Sequence, residues 1–440
     1  MEENETVQLP GLADRTPVPL STEDRELIEQ EARAGVAKLE HNYIPGFGVF
    51  PSGDPEDNFY NQVWTRDFSH AGGTYFATHN PAAFVDSLRT ILSYQRTDGS
   101  LPLRVEREYL LLKVVPGLRI LAKPLFELIE HLLKGRTERP VYEGESFSSA
   151  EDTVPITIAA IGELVSGSET GRAFVAEHFE QLRKAITYFE AKIDPIDSLA
   201  SCRPQNTDWA DSINRGGKLG GVNIAWARAL SVMSVMAHHL GHLREAEKYQ
   251  EAFGRVQRSV MEKLYNKEKS FFRAEEGKER IDTVASIFGA LFLLSPAECV
   301  QMQETFKLRI LTKSGLKNFD PPYPRAQILW PHRLIGHEGY HNRYVWPWVT
   351  CQNIQVKIKI ALQHPDSLVR QQYKREAVED LCDNAKLFDT AGGAYEIFHP
   401  DTRQPVLTRW YTPPKNLMAN LATYENVYDQ LKKLGWLPPL

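Results

Sequence analysis

Cysteine is scarce in this chain: four residues in 440, at Cys202, Cys299, Cys351 and Cys382, with no C-x-x-C pair among them. That spacing excludes a zinc knuckle or a dithiol redox motif and leaves four separate thiols whose simplest role is packing. No metal site is expected either, because no ligand spacing for one is present. Long apolar runs are also missing. The longest, such as residues 287–294, fall far below the roughly 20 residues that a membrane-spanning helix needs. No run of Lys or Arg is long enough to track a phosphate backbone, and the formal net charge is -6, so neither nucleic acid nor a membrane is an expected partner. The opening MEENE is acidic where an export signal is basic, and no apolar stretch with a small-residue cleavage site follows it. A cytoplasmic location is the expectation.

What is present is ordinary globular material, 42% apolar and 25% charged, enough for a sizeable core. Residues 1–20 carry Pro10, Pro17 and Pro19 with little periodicity and read as an extended arm, leaving 21–440 as one large domain. A helix is expected from Ser21, where Ser21 or Thr22 caps a turn rich in Glu23, Asp24 and Glu26 ahead of an apolar stripe. Similar patterns recur near 81–95, 119–134, 152–166, 170–191, 223–240, 243–264, 283–293, 296–309, 349–362, 366–387 and 414–434. Period-2 alternation is limited to hints at 44–50 and 395–398, so a large sheet is not expected. No repeat of roughly 33 to 47 residues is visible, which weighs against an open solenoid. The expected fold is all-α: a closed (α/α)6 barrel of helical hairpins, with a pocket built by the loops at one end.

Five runs between these helices concentrate polar and aromatic side chains. In the run 58–70 (NFYNQVWTRDFSH), Arg66 beside Asp67 offers the donors and acceptors that vicinal hydroxyls require, and Trp64 offers a stacking face; the competing reading is a capping Asp with a solvated Arg. In 95–102, Asp98-Gly99 reads as turn chemistry. In 148–155, Asp152 sits at a helix start, to cap it or to meet a ligand. In 206–217, Asp208 and Asp211 flank Trp209, whose apolar contact would raise a carboxyl pKa toward general-acid duty. The run 340–348 (YHNRYVWPW) offers His341, Arg343 and Trp346 as a wall of rings and donors. Last, 392–400 places Glu396 among apolar neighbours, suited to a general base or paired with Arg403 or Arg409.

These runs, in this order, resemble the (α/α)6-barrel glycoside hydrolases, above all the glucosidase domain of glycogen debranching enzymes, with glucoamylases, trehalases and neutral invertases as relatives. The resemblance spans about residues 58–430. It implies that Trp64, Arg66 and Asp67 match an aromatic-Arg-Asp motif holding the terminal sugar, and that Trp209-Ala-Asp211 matches a W-x-D loop supplying the acid. It likewise likens Val345-Trp-Pro347 to a W-P wall, Glu396-Ile-Phe398 to the strand carrying the base, and Asp152-Thr-Val-Pro155 to a D-A-T-P helix start. The chain departs from the debranching pattern in its short region before the barrel and in its RWYTPP tail at 409–414.

The implied activity is inverting, exo-acting hydrolysis of small α-linked glucosyl saccharides, without a cofactor. Asp211 would protonate the glycosidic oxygen and Glu396 would activate water, with the carboxyl groups about 6.5 to 9.5 Å apart. Trp64, Arg66, Asp67, Asp152, Asp208, Trp209, Arg343, Trp346 and Trp410 are the expected sugar-binding residues, with Asp208 the rival acid. Two other functions remain open on the same barrel: a sugar epimerase or isomerase, which would use paired histidines, and a saccharide-binding protein without turnover. Against the isomerase, the only clustered histidines are His238 and His239, inside an expected helix.

Overall fold

The computed structural model describes residues 14–52, 62–106, 138–143, 145, 151–204 and 208–438. Its architecture is a ring of helical hairpins. Among the described residues, the helices of seven residues or more are α1 (Thr22–His41), α2 (Gly73–His79), α3 (Pro81–Ser93), α4 (Thr153–Gly167), α5 (Glu169–Glu190), α6 (Gly220–His239), α7 (Leu243–Ser259), α8 (Thr283–Phe292), α9 (Pro296–Arg309), α10 (Pro347–Gln363), α11 (Ser367–Ala391) and α12 (Met418–Lys433). The even-numbered helices form an inner ring in which each packs on the next, α2 on α4, α6, α8, α10 and α12, and α12 closes back on α2. The odd-numbered helices lie outside, α1 resting on α11 and α12. This is the (α/α)6 barrel expected from the periodicities.

Composition explains which helix goes where. The inner α4 (TVPITIAAIGELVSG) and α8 (TVASIFGALF) are apolar nearly all round, as a helix enclosed on all sides must be. The outer α5 and α7 carry charge on one face and bury the other, through residues such as Phe174, Phe179 and Leu182 of α5 and Tyr249 and Val256 of α7. Close approach of α4 to α6 depends on Gly162, where a Cβ would meet Val232 Cγ2 at 2.6 Å.

Several boundaries move. The expected helix at 119–134 lies outside the described residues. A single turn over Thr65–Asp67 precedes α2, and a π turn over Phe68–Gly72 links the two. The last helix starts at Met418 rather than 414, because 414–417 are held out by backbone bonds: Glu396 N donates to the Pro414 carbonyl at 3.0 Å and Leu417 N to that of Ala394 at 3.0 Å. Alternation at 44–50 resolves into a hairpin pairing Tyr43–Ile44 with Gly48–Val49, while 395–398 forms no strand beyond single bridges from Phe398 to Val345 and Pro405. Within the described part of the arm, Val18 N donates to the Trp436 carbonyl at 2.9 Å and Asp14 pairs with Lys374. No described helix is long and apolar enough to cross a membrane.

Candidate active site

Every inner helix begins at the same end of the ring, and the segments entering those helices carry the candidate residues. Trp64, Arg66 and Asp67 lead into α2, Asp152 into α4, the 208–217 loop into α6, Asp282 into α8, Trp346 into α10, and the segment from Glu396 to Tyr411 into α12. The loops are tied to one another by backbone pairing. Ile213 bridges Ile328, with Asn214 N donating to Gln327 O at 2.7 Å and Leu329 N to Ser212 O at 2.9 Å. Val345 and Phe398 exchange two bonds of 2.9 Å. Asn420, fully buried at the start of α12, accepts from Trp348 N at 3.0 Å and donates to Tyr395 O at 2.8 Å, fixing the Glu396 segment against α10.

One pocket results, lined by Trp64, Arg66, Asp67, Trp209, Asp211, Trp346 and Glu396, together with His70, Tyr340, His341, Trp348 and Ala419. Its central plate is Trp209. The rings of Trp346, Trp348 and His341 meet it edge-on at centroid distances of 6.2, 5.5 and 5.2 Å. Trp64, half-buried, donates from Nε1 to Gln62 Oε1 at 3.1 Å and has the Arg104 guanidinium 4.7 Å from its ring.

The charged layer below is dense. Arg66, 4% exposed, donates from Nε to Asp152 Oδ1 and Oδ2 at 2.8 and 3.0 Å and from Nη1 to Asp211 Oδ2 at 3.3 Å. Asp152 occupies the N-cap position of α4 but makes no capping bond, so its carboxylate serves Arg66 rather than the helix. Burial pushes the Asp152 carboxyl up to about 6 despite that guanidinium, and pushes Asp67 up to about 7, the charge on Asp211 adding to the effect. Asp211 is also raised, first by burial, while Arg66 opposes the shift and the charge of Asp208 reinforces it. Its side chain lines the pocket and keeps 30% of its surface exposed.

Asp208 sits elsewhere. It is 2% exposed and paired with Arg215, which also donates to Asp282 Oδ2 at 3.1 Å in a triad closed to solvent. Its oxygens are committed to shaping the loop, Oδ1 also accepting from Ala210 N at 3.1 Å, and it is not among the pocket-lining residues. Arg343 and Trp410 lie off the pocket as well. Gly339 O accepts from the amides of Asn342, Arg343 and Tyr344, a tight turn that sends Arg343 to the exposed side and His341 to the buried side. Trp410 is 65% exposed beneath Arg409. Neither arginine offered as a partner for Glu396 takes that part: Arg403 donates to the carbonyls of Lys313 and Asp383, and Arg409 stacks on Trp410. Glu396, 2% exposed, instead accepts from the Tyr411 hydroxyl.

Histidines that are far apart in the sequence meet in the pocket, while the adjacent pair does not reach it. His238 and His239 are exposed at the far end of α6, whereas His70 and His341, 271 positions apart, line the same pocket. Burial lowers both imidazoles, His70 to about 4 and His341 well below its ordinary value. Ser212 holds the His341 ring: its backbone N donates to Nδ1 at 3.4 Å and its hydroxyl lies 3.0 Å from the same nitrogen. Tyr411, which donates to Glu396, and Tyr340, its ring 5.0 Å from Trp346, join the site without a local signal of their own in the sequence, whereas Arg215 follows the W-x-D loop, where a buried counter-ion for its aspartates belongs. Asp98-Gly99 is the turn expected, Gly99 having φ +95°. Among the described residues, no group of three or more His, Cys, Asp and Glu side chains is placed to hold a metal ion.

No family model matches the sequence, and no curated protein matches it significantly. Solved structures do match in fold. A glycosidase, determined as a single-residue variant, superposes over 96% of this chain and 100% of its own with a TM-score of 0.61 at 13% identity. A rhamnosidase from Klebsiella oxytoca with rhamnose bound gives a TM-score of 0.61 at 12% identity, over 95% of this chain and 66% of that one. A bacterial glucoamylase complexed with acarbose gives 0.56 at 14% identity, over 92% of this chain and 56% of that one. This chain therefore has the helical barrel fold of these glycosidases, and spans only part of the last two.

Proposed function

We propose that this protein is an inverting, exo-acting glycoside hydrolase of small α-linked glucosyl saccharides, with Asp211 as general acid and Glu396 as general base. The observation that carries the reading is that both carboxyl groups, drawn from loops 185 residues apart, line one ring-walled pocket at the N-terminal end of the inner helices. The likeness in fold to a glycosidase determined in complex with glucose, TM-score 0.58 at 13% identity, supports it.

In this mechanism a terminal sugar enters between Trp64 and Trp346, with Arg66 and Asp67 on its hydroxyls. Asp211, whose burial favours the protonated form, gives its proton to the glycosidic oxygen as the bond to the anomeric carbon breaks. Glu396 takes a proton from the water that attacks the opposite face, and the Tyr411 hydroxyl stabilises and aims the carboxylate beforehand. Each turnover leaves Asp211 ionised and Glu396 protonated, and both exchange with solvent when the products leave.

The test is release of glucose from maltose, isomaltose, trehalose, sucrose and a glucosylglycerate, with the anomer formed first read by NMR. Initial β-glucose from at least one substrate is expected. Asp211→Asn and Glu396→Gln should each slow turnover roughly 10²- to 10⁴-fold. Glucose released first as the α anomer from sucrose or the glucosylglycerate, whose leaving groups are not glucose, would rule out inversion, and no release across the panel would remove the reading. One observation favours a second function: the two neutral imidazoles His70 and His341 share the pocket, as an aldose–ketose isomerase would need. Incubation with free hexoses, followed for isomer formation without bond cleavage, separates the two.

A further inference from the structure

Behind the candidate active site lies a larger void. The inner helices α4, α6, α8 and α10 enclose a cavity of about 280 Å³, against about 90 Å³ for the catalytic pocket. His70 and Trp209 line both and form the partition between them. The void exists because small residues face the axis, Ala159 and Ala160 on α4 and Gly221 and Ala225 on α6. It reaches the opposite end of the barrel, where Glu163 and Arg228 pair at 3.3 Å.

The lining specifies an occupant. Its charges are cancelled in pairs: Asp152 by Arg66, Asp208 by Arg215, Glu163 by Arg228. Most of the wall is hydrocarbon, from Ile156, Val222, Val284, Phe288, Leu291 and Phe292. Three buried polar atoms nevertheless have no hydrogen-bond partner among the described residues, Ser69 Oγ, Trp209 Nε1 and Gln355 Nε2, and all three residues line this cavity. Buried donors of this kind need an acceptor. An ion has no unpaired counter-charge here, and a fully hydrated sugar would meet too much hydrocarbon. A cavity of roughly 150 Å³ walled by Leu, Ile and Phe already accepts a benzene ring.

We propose that this cavity is a second ligand site, for a compact neutral alcohol or ketone whose hydrocarbon body packs on Phe288 and Phe292 and whose oxygen accepts from Trp209 and Ser69. Its occupant touches the back of Trp209 and His70, and it touches Asp152, which holds Arg66. Binding here therefore adjusts the catalytic pocket from behind. The binding itself does not depend on the chain being a hydrolase.

Cyclohexanol and cyclohexane are the probes, followed by thermal shift, by tryptophan fluorescence and by crystals soaked in each. Cyclohexanol is expected in the cavity with its hydroxyl at Trp209 and Ser69, and to bind more tightly than cyclohexane. Ala225→Phe, which fills the void, should abolish binding with the folded spectrum retained. Should that variant fail to fold, Ser69→Ala serves instead, weakening cyclohexanol roughly threefold to tenfold and leaving cyclohexane unchanged. A cavity holding only ordered water, equal affinity for the two probes, binding retained by a folded Ala225→Phe variant, or an unchanged cyclohexanol affinity in Ser69→Ala overturns the proposal.

Discussion

Arg66 Nε donates to both carboxylate oxygens of Asp152 while its Nη1 lies 3.3 Å from Asp211, so one buried cation serves aspartates from two different loops. The desolvation of Arg66 is offset only as long as both partners stay. Removing a single member of such a buried group leaves an uncompensated charge and costs about 3–5 kcal/mol. Arg66→Met should lower the unfolding free energy by that amount in urea titrations. The double variant Arg66→Met/Asp152→Leu should recover part of the loss. If the double variant is as unstable as the sum of the single ones, the two residues are not energetically coupled.

Asp211 is expected to set the alkaline limb of kcat/KM, because an acid that has lost its proton cannot protonate a leaving group. Burial raises this group and the positive charges of Arg66 and Arg104 pull it down. Replacing Arg104 by Gln removes one of those charges without touching the carboxyl, so the alkaline limb should move to higher pH. A limb that stays in place or moves down would assign it to another group.

Glu425, 2% exposed on α12, has its carboxyl pushed up to about 9 by burial, with the charges of Asp429 and Glu31 adding to the effect; its Oε1 has no partner among the described residues. Below pH 4.5 the carboxyl is protonated folded or unfolded and costs little. Between 4.5 and about 9 the unfolded chain releases a proton that the folded chain keeps, so stability falls as pH rises through that window. Glu425→Gln lacks this liability. Its unfolding free energy in urea titrations should draw ahead of the parent's from pH 5 to pH 9, by an amount on the order of a few kcal/mol at the upper end. Parallel pH dependences in the two proteins would show that the carboxyl is solvated.

The barrel was legible in the sequence because inner and outer helices differ in composition: an all-apolar α8 can only be enclosed, and a half-charged α7 can only face out. The site was legible where the chemistry is local. Trp64, Arg66 and Asp67 sit in one run, and Trp209 with Asp211 in another, and both runs meet in the pocket. What was not legible depends on the path of the chain. Asp208 and Asp211 are indistinguishable by type, and only Arg215, folding back from seven positions on, takes one of them out of the pocket. Arg343 looked more suited to a sugar than His341 did, until the turn on Gly339 reversed which of them faces inward. No period or motif relates His70 to His341, since their meeting is a property of ring closure.

The four cysteines give a probe of the loop that carries Asp211. All are free and buried, and burial pushes the thiols up, Cys299 and Cys382 to about 11 and the other two further, so almost no thiolate exists at pH 8. Labelling by a thiol reagent must then wait for local opening. Cys299, Cys351 and Cys382 lie within α9, α10 and α11, where exposure requires a helix to leave the barrel. Cys202 is held differently: it exchanges two backbone bonds of 2.9 and 2.8 Å with Gly217, a clamp at the neck of the loop containing Asp208, Asp211 and Arg215. Opening that clamp costs less than unfolding a helix, so Cys202 should label first in the native protein. If the proposed function holds, glucose in the pocket should slow Cys202 and leave the other three unaffected. Peptide mapping after timed labelling reads all four rates at once. If a helical cysteine labels first, the loop that carries Asp211 is as rigid as the barrel, and access to Asp211 is controlled elsewhere.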